Sequence, residues 1–296
     1  MGITNRIARV AGLAAASALV LGFAATSATA SPVPPAPSSM LFGTWVNTNS
    51  ATHAVKQVIV RKSNAGGVAA DAFGVCAPSL CEWGAVAGTV YGTAANATSG
   101  RSFQTINRFL IGSTEWSRTV LFGHVAPTAH GPLLTLRELT VFEDGSGRKD
   151  YTVTETFKLG TGPKETHVGR AGSIYPAGHA PNLAAGAFGN WIAGGSNVVQ
   201  IQISGTVSAP TVQAWGACTP TPCDWGIVPG IAFGTSVGSS TGSTVLAPYS
   251  LGFKKAQLVI AYSNSGTEKL TVSMYNEFTD GSGRSNYSGS ITFVRP

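Results

Sequence analysis

Three blocks of this sequence occur twice, in the same order and at nearly the same spacing. Phe42-Gly43-Thr44-Trp45-Val46 returns as Phe188-Gly189-Asn190-Trp191-Ile192, 146 residues later. Phe73-Gly74-Val75-Cys76, continuing to Cys81-Glu82-Trp83-Gly84, returns at an offset of 142 as Trp215-Gly216-Ala217-Cys218, continuing to Cys223-Asp224-Trp225-Gly226. Phe142-Glu143-Asp144-Gly145-Ser146-Gly147-Arg148 returns at an offset of 136 as Phe278-Thr279-Asp280-Gly281-Ser282-Gly283-Arg284. Ordered recurrence at such a period means two copies of one folding unit. The shrinking offset places short deletions in the loops of the second copy. Each unit spans about 115 residues, an ordinary domain size. The units run over 40–159 and 188–296. Between them, 160–187 is rich in Gly, Pro, Ala and His, the composition of a linker, and predicts two independent bodies, with a long interface as the alternative. Residues 31–39, with four prolines, read as a flexible or extended lead-in.

Within each unit apolar and polar residues alternate with period two, and Gly, Asn and Pro punctuate the runs. In the first unit eight strands are expected. They lie near Trp45 and Val58, over 68–75, 84–91, 103–111, 117–125 and 133–142, and from Tyr151 to Phe157. No segment after the first thirty residues shows the 3.6-residue period of a helix. The fold class is therefore all-β. Eight short strands joined by short turns predict an up-and-down β-barrel, because closure removes the exposed edges of an open sheet. A two-sheet sandwich is the alternative.

Gly43-x-Trp45 and Gly189-x-Trp191, each on the first strand of its unit, resemble the short motif of calycins, the lipocalin and avidin type of barrel. The resemblance implies two tandem eight-stranded barrels that hold small ligands at the mouth. It brings no biotin site, since too few polar and Trp positions match. The block around Cys218-x4-Cys223-Asp224-Trp225-Gly226 is similar to a secreted bacterial domain type of unassigned activity, from which the first unit departs at Phe73 and Glu82.

The N-terminus reads as an export signal over 1–30. Arg6 and Arg9 give a positive start, 10–25 is apolar, and Ala28-Thr29-Ala30 has the small-x-small form of a cleavage site. The apolar run is shorter than the ~20 residues that span a bilayer, so the product is expected to be secreted. Loss of Arg6 and Arg9 lowers the net charge from +6 to +4. With 43% hydrophobic and 11% charged residues, the chain is neither a disordered tail nor a nucleic-acid binder, which concentrates Lys and Arg on one face.

In an exported chain the pairs Cys76–Cys81 and Cys218–Cys223 are expected as disulfides that pin local turns. A tetrahedral metal site needs four ligands, and each unit offers two Cys and no repeated His, so neither metal nor cofactor is expected. Asp144 with Arg148, and Asp280 with Arg284, bracket Gly-Ser-Gly and read as a hairpin turn or a ligand-facing loop. Glu82 and Asp224 cap the disulfide loop or line a pocket. Trp45, Trp83, Trp191 and Trp225 are core residues or stacking platforms for a ring.

One difference between the units is chemical. The strand face holding Leu134, Leu136, Glu138, Thr140 and Phe142 corresponds to Leu270, Val272, Met274, Asn276 and Phe278. On the next strand Glu155 replaces Ile291. If Phe142 pairs with Tyr151, Glu138 lies opposite Glu155, and one carboxyl titrates high. A register one residue off would put both outside, and Arg118 offers an alternative partner. The leading expectation is a secreted, non-catalytic protein whose units each bind a glycan or small molecule. The rivals are a protein-binding module such as a protease inhibitor, and an enzyme using Glu138 and Glu155.

Overall fold

A computed structural model of the chain describes residues 35–75, 79–111, 113–144, 146–162, 167–168 and 180–296. The expected signal sequence and Cys76 lie outside these residues, as does most of 163–179. The first half forms β1 (Ala36–Pro37), β2 (Gly43–Asn47), β3 (Val55–Lys62), β4 (Val68–Gly74), β5 (Cys81–Tyr91), β6 (Ser99–Gly100), β7 (Ser102–Ile111), β8 (Thr114–Ala126), β9 (Leu133–Phe142), β10 (Tyr151–Leu159) and β11 (His167–Val168). The second forms β12 (Asn182–Leu183), β13 (Gly189–Ile192), β14 (Val198–Thr206), β15 (Ala209–Gly216), β16 (Cys223–Pro229), β17 (Ile231–Phe233), β18 (Thr241–Gly242), β19 (Thr244–Ser250), β20 (Lys254–Ser263), β21 (Lys269–Phe278) and β22 (Tyr287–Val294).

In the first half β2, β3, β4, β5, β7, β8, β9 and β10 pair antiparallel in sequence order, and β10 returns to β2. The ring is a closed eight-stranded up-and-down barrel. The second half repeats it with one interruption. The counterpart of β5 is split into β16 and β17 around Gly230, whose N–H still reaches the Pro210 carbonyl at 2.8 Å. Pro229 has no N–H to give to a ladder, and this barrel is nearly closed.

Alternation along the strands sends one side of each residue pair into the barrel. The first barrel buries Trp45, Val58, Val60, Val68, Phe103, Leu121, Val125, Leu134, Leu136 and Phe157 around one axis. The second buries Trp191, Ile201, Ile203, Val245, Leu258, Ile260, Leu270, Val272 and Phe293. Volume is traded between matched positions. Phe103 faces Gly123 across β7 and β8, where the second barrel has Val245 facing Ile260. Such exchange keeps interior density at fixed total volume.

Each barrel is shut at one end by the same device. A single 3-10 turn, Ser39–Leu41 or Ala185–Ala187, crosses the opening. The indole N–H of Trp45 donates to the Leu41 carbonyl, and that of Trp191 to Ala187, each at 2.9 Å. Short parallel pairs, β1 with β6 and β12 with β18, lead into these turns. Residues 35–39 of the Pro-rich lead-in and 180–187 of the expected linker are thus parts of their barrels. In the second barrel Arg295 adds a clamp. Its guanidinium lies 3.8 Å over the Trp191 ring and donates to the carbonyls of Gly186 and Phe188.

The two barrels pack on each other. Val120, Phe122 and Leu139 on the outer face of the first form one apolar cluster with Phe233, Leu246 and Val259 of the second. The ring of Tyr275 stacks on Phe122 at 4.1 Å. Backbone contacts come in matched pairs. Gly92 N–H donates to Asn286 while Ser288 donates back to Gly92. Gly234 N–H donates to Asp150 while Thr152 donates back to Gly234. Reciprocity of this kind is what a twofold interface between two copies produces. The linker composition therefore does not give two separate bodies.

Candidate functional site

The end of the first barrel opposite the 3-10 turn opens into a cavity of about 670 Å³, within the range of small-molecule sites. Local sequence explains its walls. Gly74 lies directly under the Trp83 indole, where a Cβ would come within 2.8 Å of Nε1. Gly84, at φ +84°, turns the chain just beyond Trp83. Trp83 is thereby held flat against β4 at the rim. From it an aromatic wall continues edge-on to Phe109, with ring centroids 5.4 Å apart, and then to Trp116 at 5.6 Å. The far side is Phe142 stacked on Tyr151 at 6.0 Å. Val237, from the loop after β17, also lines the opening, so the second barrel contributes to the first one's mouth.

The turn after β9 braces this wall. Asp144 accepts the Ser146 N–H at 3.1 Å and is paired with Arg148. Burial pushes the Asp144 carboxyl up, but its Ser146 and Arg148 partners outweigh that and hold it below its ordinary value. The Arg148 guanidinium lies 4.1 Å over Phe142 and 5.4 Å from the Trp116 ring. The second copy repeats the arrangement. Asp280 accepts the Ser282 N–H at 3.2 Å, and Arg284 lies 4.0 Å over Phe278. Hydrogen bonding from Ser282 is the largest influence in drawing Asp280 down to about 2. Each Asp–Arg pair thus braces the turn of its own barrel, and Arg148 belongs to the cavity lining as well.

The floor is polar. Thr119 and Thr140 face each other across β8 and β9, their hydroxyls 2.9 Å apart. Asn107, opposite Thr119, is buried with its Nδ2 unpartnered. The lining stops at Thr119 and Thr140. Asn107 and Glu138 lie beneath it, Glu138 two residues below Thr140 on the same inward face. Glu138 is fully buried, and neither carboxyl oxygen has a hydrogen-bond partner. Burial chiefly, and then the charge of Glu155, push its pKa to about 8, against a smaller opposing pull from the Val55 amide. Glu155 accepts a hydrogen bond from the Thr52 hydroxyl through Oε1, and its Oε2 is buried without a partner.

The expected pairing of these two carboxyls needs correction. Tyr151 pairs with Thr140 rather than with Phe142, so Glu138 faces Val153 and Glu155 faces Leu136. The cause is the turn: the Asp150 side chain accepts the Phe142 N–H at 3.0 Å, which takes Phe142 out of the ladder. A slip of two keeps every side chain on its face. Both carboxyls remain inside, as diagonal neighbours. Arg118 is no partner for either, and sits 3.7 Å from Glu115 instead.

The second barrel shows what closes such a mouth. Opposite Phe278, where the first barrel has Ser117 opposite Phe142, stands Lys254. Its ammonium donates to Asn276 Oδ1 at 2.9 Å and lies 4.3 Å over the Trp225 ring. Burial, with Arg284 nearby, draws the Lys254 pKa down to about 8. Tyr249 replaces Asn107, packs edge-on to Trp225 at 5.5 Å and donates to the Val212 carbonyl at 2.8 Å. Met274 and Ile291 stand where the first barrel has Glu138 and Glu155. The position of the open cavity is thus filled by side chains in the second copy.

The other expected residues sort by position. Trp45 and Trp191 are fully buried at the closed ends with their N–H groups satisfied, so they are core and are not among the residues lining this cavity. Trp83 lines the cavity, and Trp225 lies under Lys254. Glu82 lines the cavity too. Asp224 instead caps its loop, accepting from Gln213 and from the Gly226 N–H at 2.8 Å each. Cys218–Cys223 is a disulfide, and Cys81 is disulfide-bonded too, while Cys76 lies outside the described residues. Among the described residues no cluster of three or more His, Cys, Asp or Glu could hold a metal ion, and no helix is long and apolar enough to cross a membrane. Sequence reasoning missed Phe109, Asn107, Thr119 and Lys254. Their signal was the alternating inward face of β7 and β8, compared between copies. No family model matches the chain, and no curated protein matches it.

Proposed function

We propose that this is an exported, non-catalytic binding protein whose first barrel holds a small molecule at its open end. The second barrel, on this reading, is a structural partner. One observation carries the reading: matched positions of two copies leave a cavity in one and fill it in the other. An aromatic wall over a few polar groups suits a ligand with a flat or apolar body and one polar end. Fixed rings hold such a body at little entropic cost, since they are already packed against Gly74 and Arg148. The duplication then supports the site through the interface and through Val237, rather than through two equal binding sites.

The test transfers the second barrel's filling into the first. Ser117→Lys with Thr140→Asn recreates the ammonium over Trp83 and its amide acceptor. Binding of the neutral fluorescent probe N-phenyl-1-naphthylamine is expected in the unaltered chain and lost in this variant. Equal binding by both proteins places the probe elsewhere and overturns the reading.

A further inference from the structure

The second barrel carries a cation where the first has open space. Lys254 reaches across the mouth, sets its ammonium over the Trp225 ring and bonds Asn276. In the first barrel the ring is kept as Trp83, the lysine becomes Ser117, and the acceptor position becomes Thr140. The residues beneath change in the complementary direction. Met274 becomes Glu138 and Ile291 becomes Glu155, two acids added where one built-in cation is missing.

Those acids are not balanced by the chain. Glu138 makes no hydrogen bond of ordinary geometry on either oxygen and feels only the weaker pull of the Val55 amide, and Glu155 has no partner on Oε2. The basic residues at the rim are engaged with other groups. Arg148 is paired with Asp144, and Arg108 lies 3.3 Å from Glu115. Burying carboxyl groups without partners is costly, and the interior of the second barrel shows that the fold does well with Met and Ile at these places.

We propose that the first barrel takes an organic ammonium ion, its apolar body against the wall of Trp83, Phe109 and Trp116 and its charge directed down toward Glu138 and Glu155, beneath the floor of Thr119 and Thr140. The proposal rests on reading the first barrel's mouth as a ligand site. In barrel two the ammonium meets its acceptor at the layer of Asn276. The same layer in barrel one is Thr140, two residues above Glu138, or about 7 Å along the strand. A Glu side chain turned toward the mouth, with one hydrogen bond, spans that distance. The rings above attract a cation through their faces, and the hydroxyls of Thr119 and Thr140 can accept its remaining N–H groups.

The experiment compares 2-phenylethylammonium with its neutral isostere 2-phenylethanol, each displacing N-phenyl-1-naphthylamine from the chain of residues 31–296 at pH 7. A charge-assisted hydrogen bond predicts a preference of about 10- to 100-fold for the ammonium ion. In the Glu138→Met/Glu155→Ile variant, which copies the second barrel, the ratio of affinities falls to near one. Glu138→Gln, which keeps the shape, lowers it in the same direction. If the probe binds and the two compounds displace it equally, the ammonium assignment is wrong and the cavity reading survives. A preference that persists in the double variant also overturns it. If the probe does not bind at all, both readings fall.

Discussion

Replacing Glu138 by Gln removes a titration that the folded barrel makes expensive. Glu138 ordinarily releases its proton near 4.5, but in the barrel it holds it to about 8, because burial and then the charge of Glu155 disfavour the ionised form. Below pH 4.5 the group is protonated in both states and contributes nothing to the difference. Between 4.5 and 8 the folded chain binds a proton that the unfolded chain has released, so stability falls as pH rises. The slope is about 1.4 kcal/mol per pH unit. It amounts to about 3 kcal/mol at pH 7 and roughly 5 kcal/mol by pH 8, above which it is constant. The groups acting on Glu138 are Glu155 and Tyr151 from β10 and the Val55 amide from β3, its β8 partner is the apolar Leu121, and His53, Glu82, Arg108 and Arg148 line the cavity. Other groups titrate over the same range, so the useful quantity is the stability of Glu138→Gln minus that of the unaltered chain. Urea unfolding from pH 4 to pH 9 should show this difference growing with pH and levelling near 8. At pH 7 it corresponds to a gain in Tm of roughly 6–12 °C over the difference at pH 4.5, if the packed barrels unfold together. A difference that does not change with pH would refute the placement of Glu138 in a dry interior.

Other consequences are testable in the same chain. Phe122→Ala, in the interface under Tyr275, should cost about 3 kcal/mol and split a single calorimetric transition into two; one undivided transition of unchanged Tm would show that the interface contributes little. Arg295→Leu, which copies Leu159 of the first barrel, should lower stability by about 2 kcal/mol through loss of charged hydrogen bonds to Gly186 and Phe188, read by urea unfolding. Replacing Cys218 and Cys223 by Ser should cost roughly 2 kcal/mol for so short a loop, with probe binding by the first barrel retained.

The sequence made the repeat and the strand plan legible because both depend on local pattern. Each of the eight expected strands corresponds to one in the first barrel. The inward face of β9 and β10 was also legible, since a two-residue error in register does not change sides. The register itself was hidden in the turn, where the Asp150 side chain replaces a ladder partner for Phe142. The interface was hidden for a different reason. Val120, Phe122 and Leu139 point outward from strands whose other face is core, so β8 reads as apolar on both sides. That continuous run is the mark of a strand covered on two faces. The cavity was hidden because it depends on which side chains are missing. Only the comparison of Ser117 with Lys254, and Asn107 with Tyr249, reveals that one mouth is filled and the other is not. Trp45 and Trp83 look alike as residues, yet one closes the barrel floor and the other frames its opening.

The most direct test of the account is the stoichiometry of N-phenyl-1-naphthylamine binding to the chain of residues 31–296, measured by calorimetric titration. One site per chain, lost with Ser117→Lys/Thr140→Asn, is the predicted result. Two equivalent sites per chain would contradict it, because they would mean that Lys254 and Tyr249 do not close the second barrel.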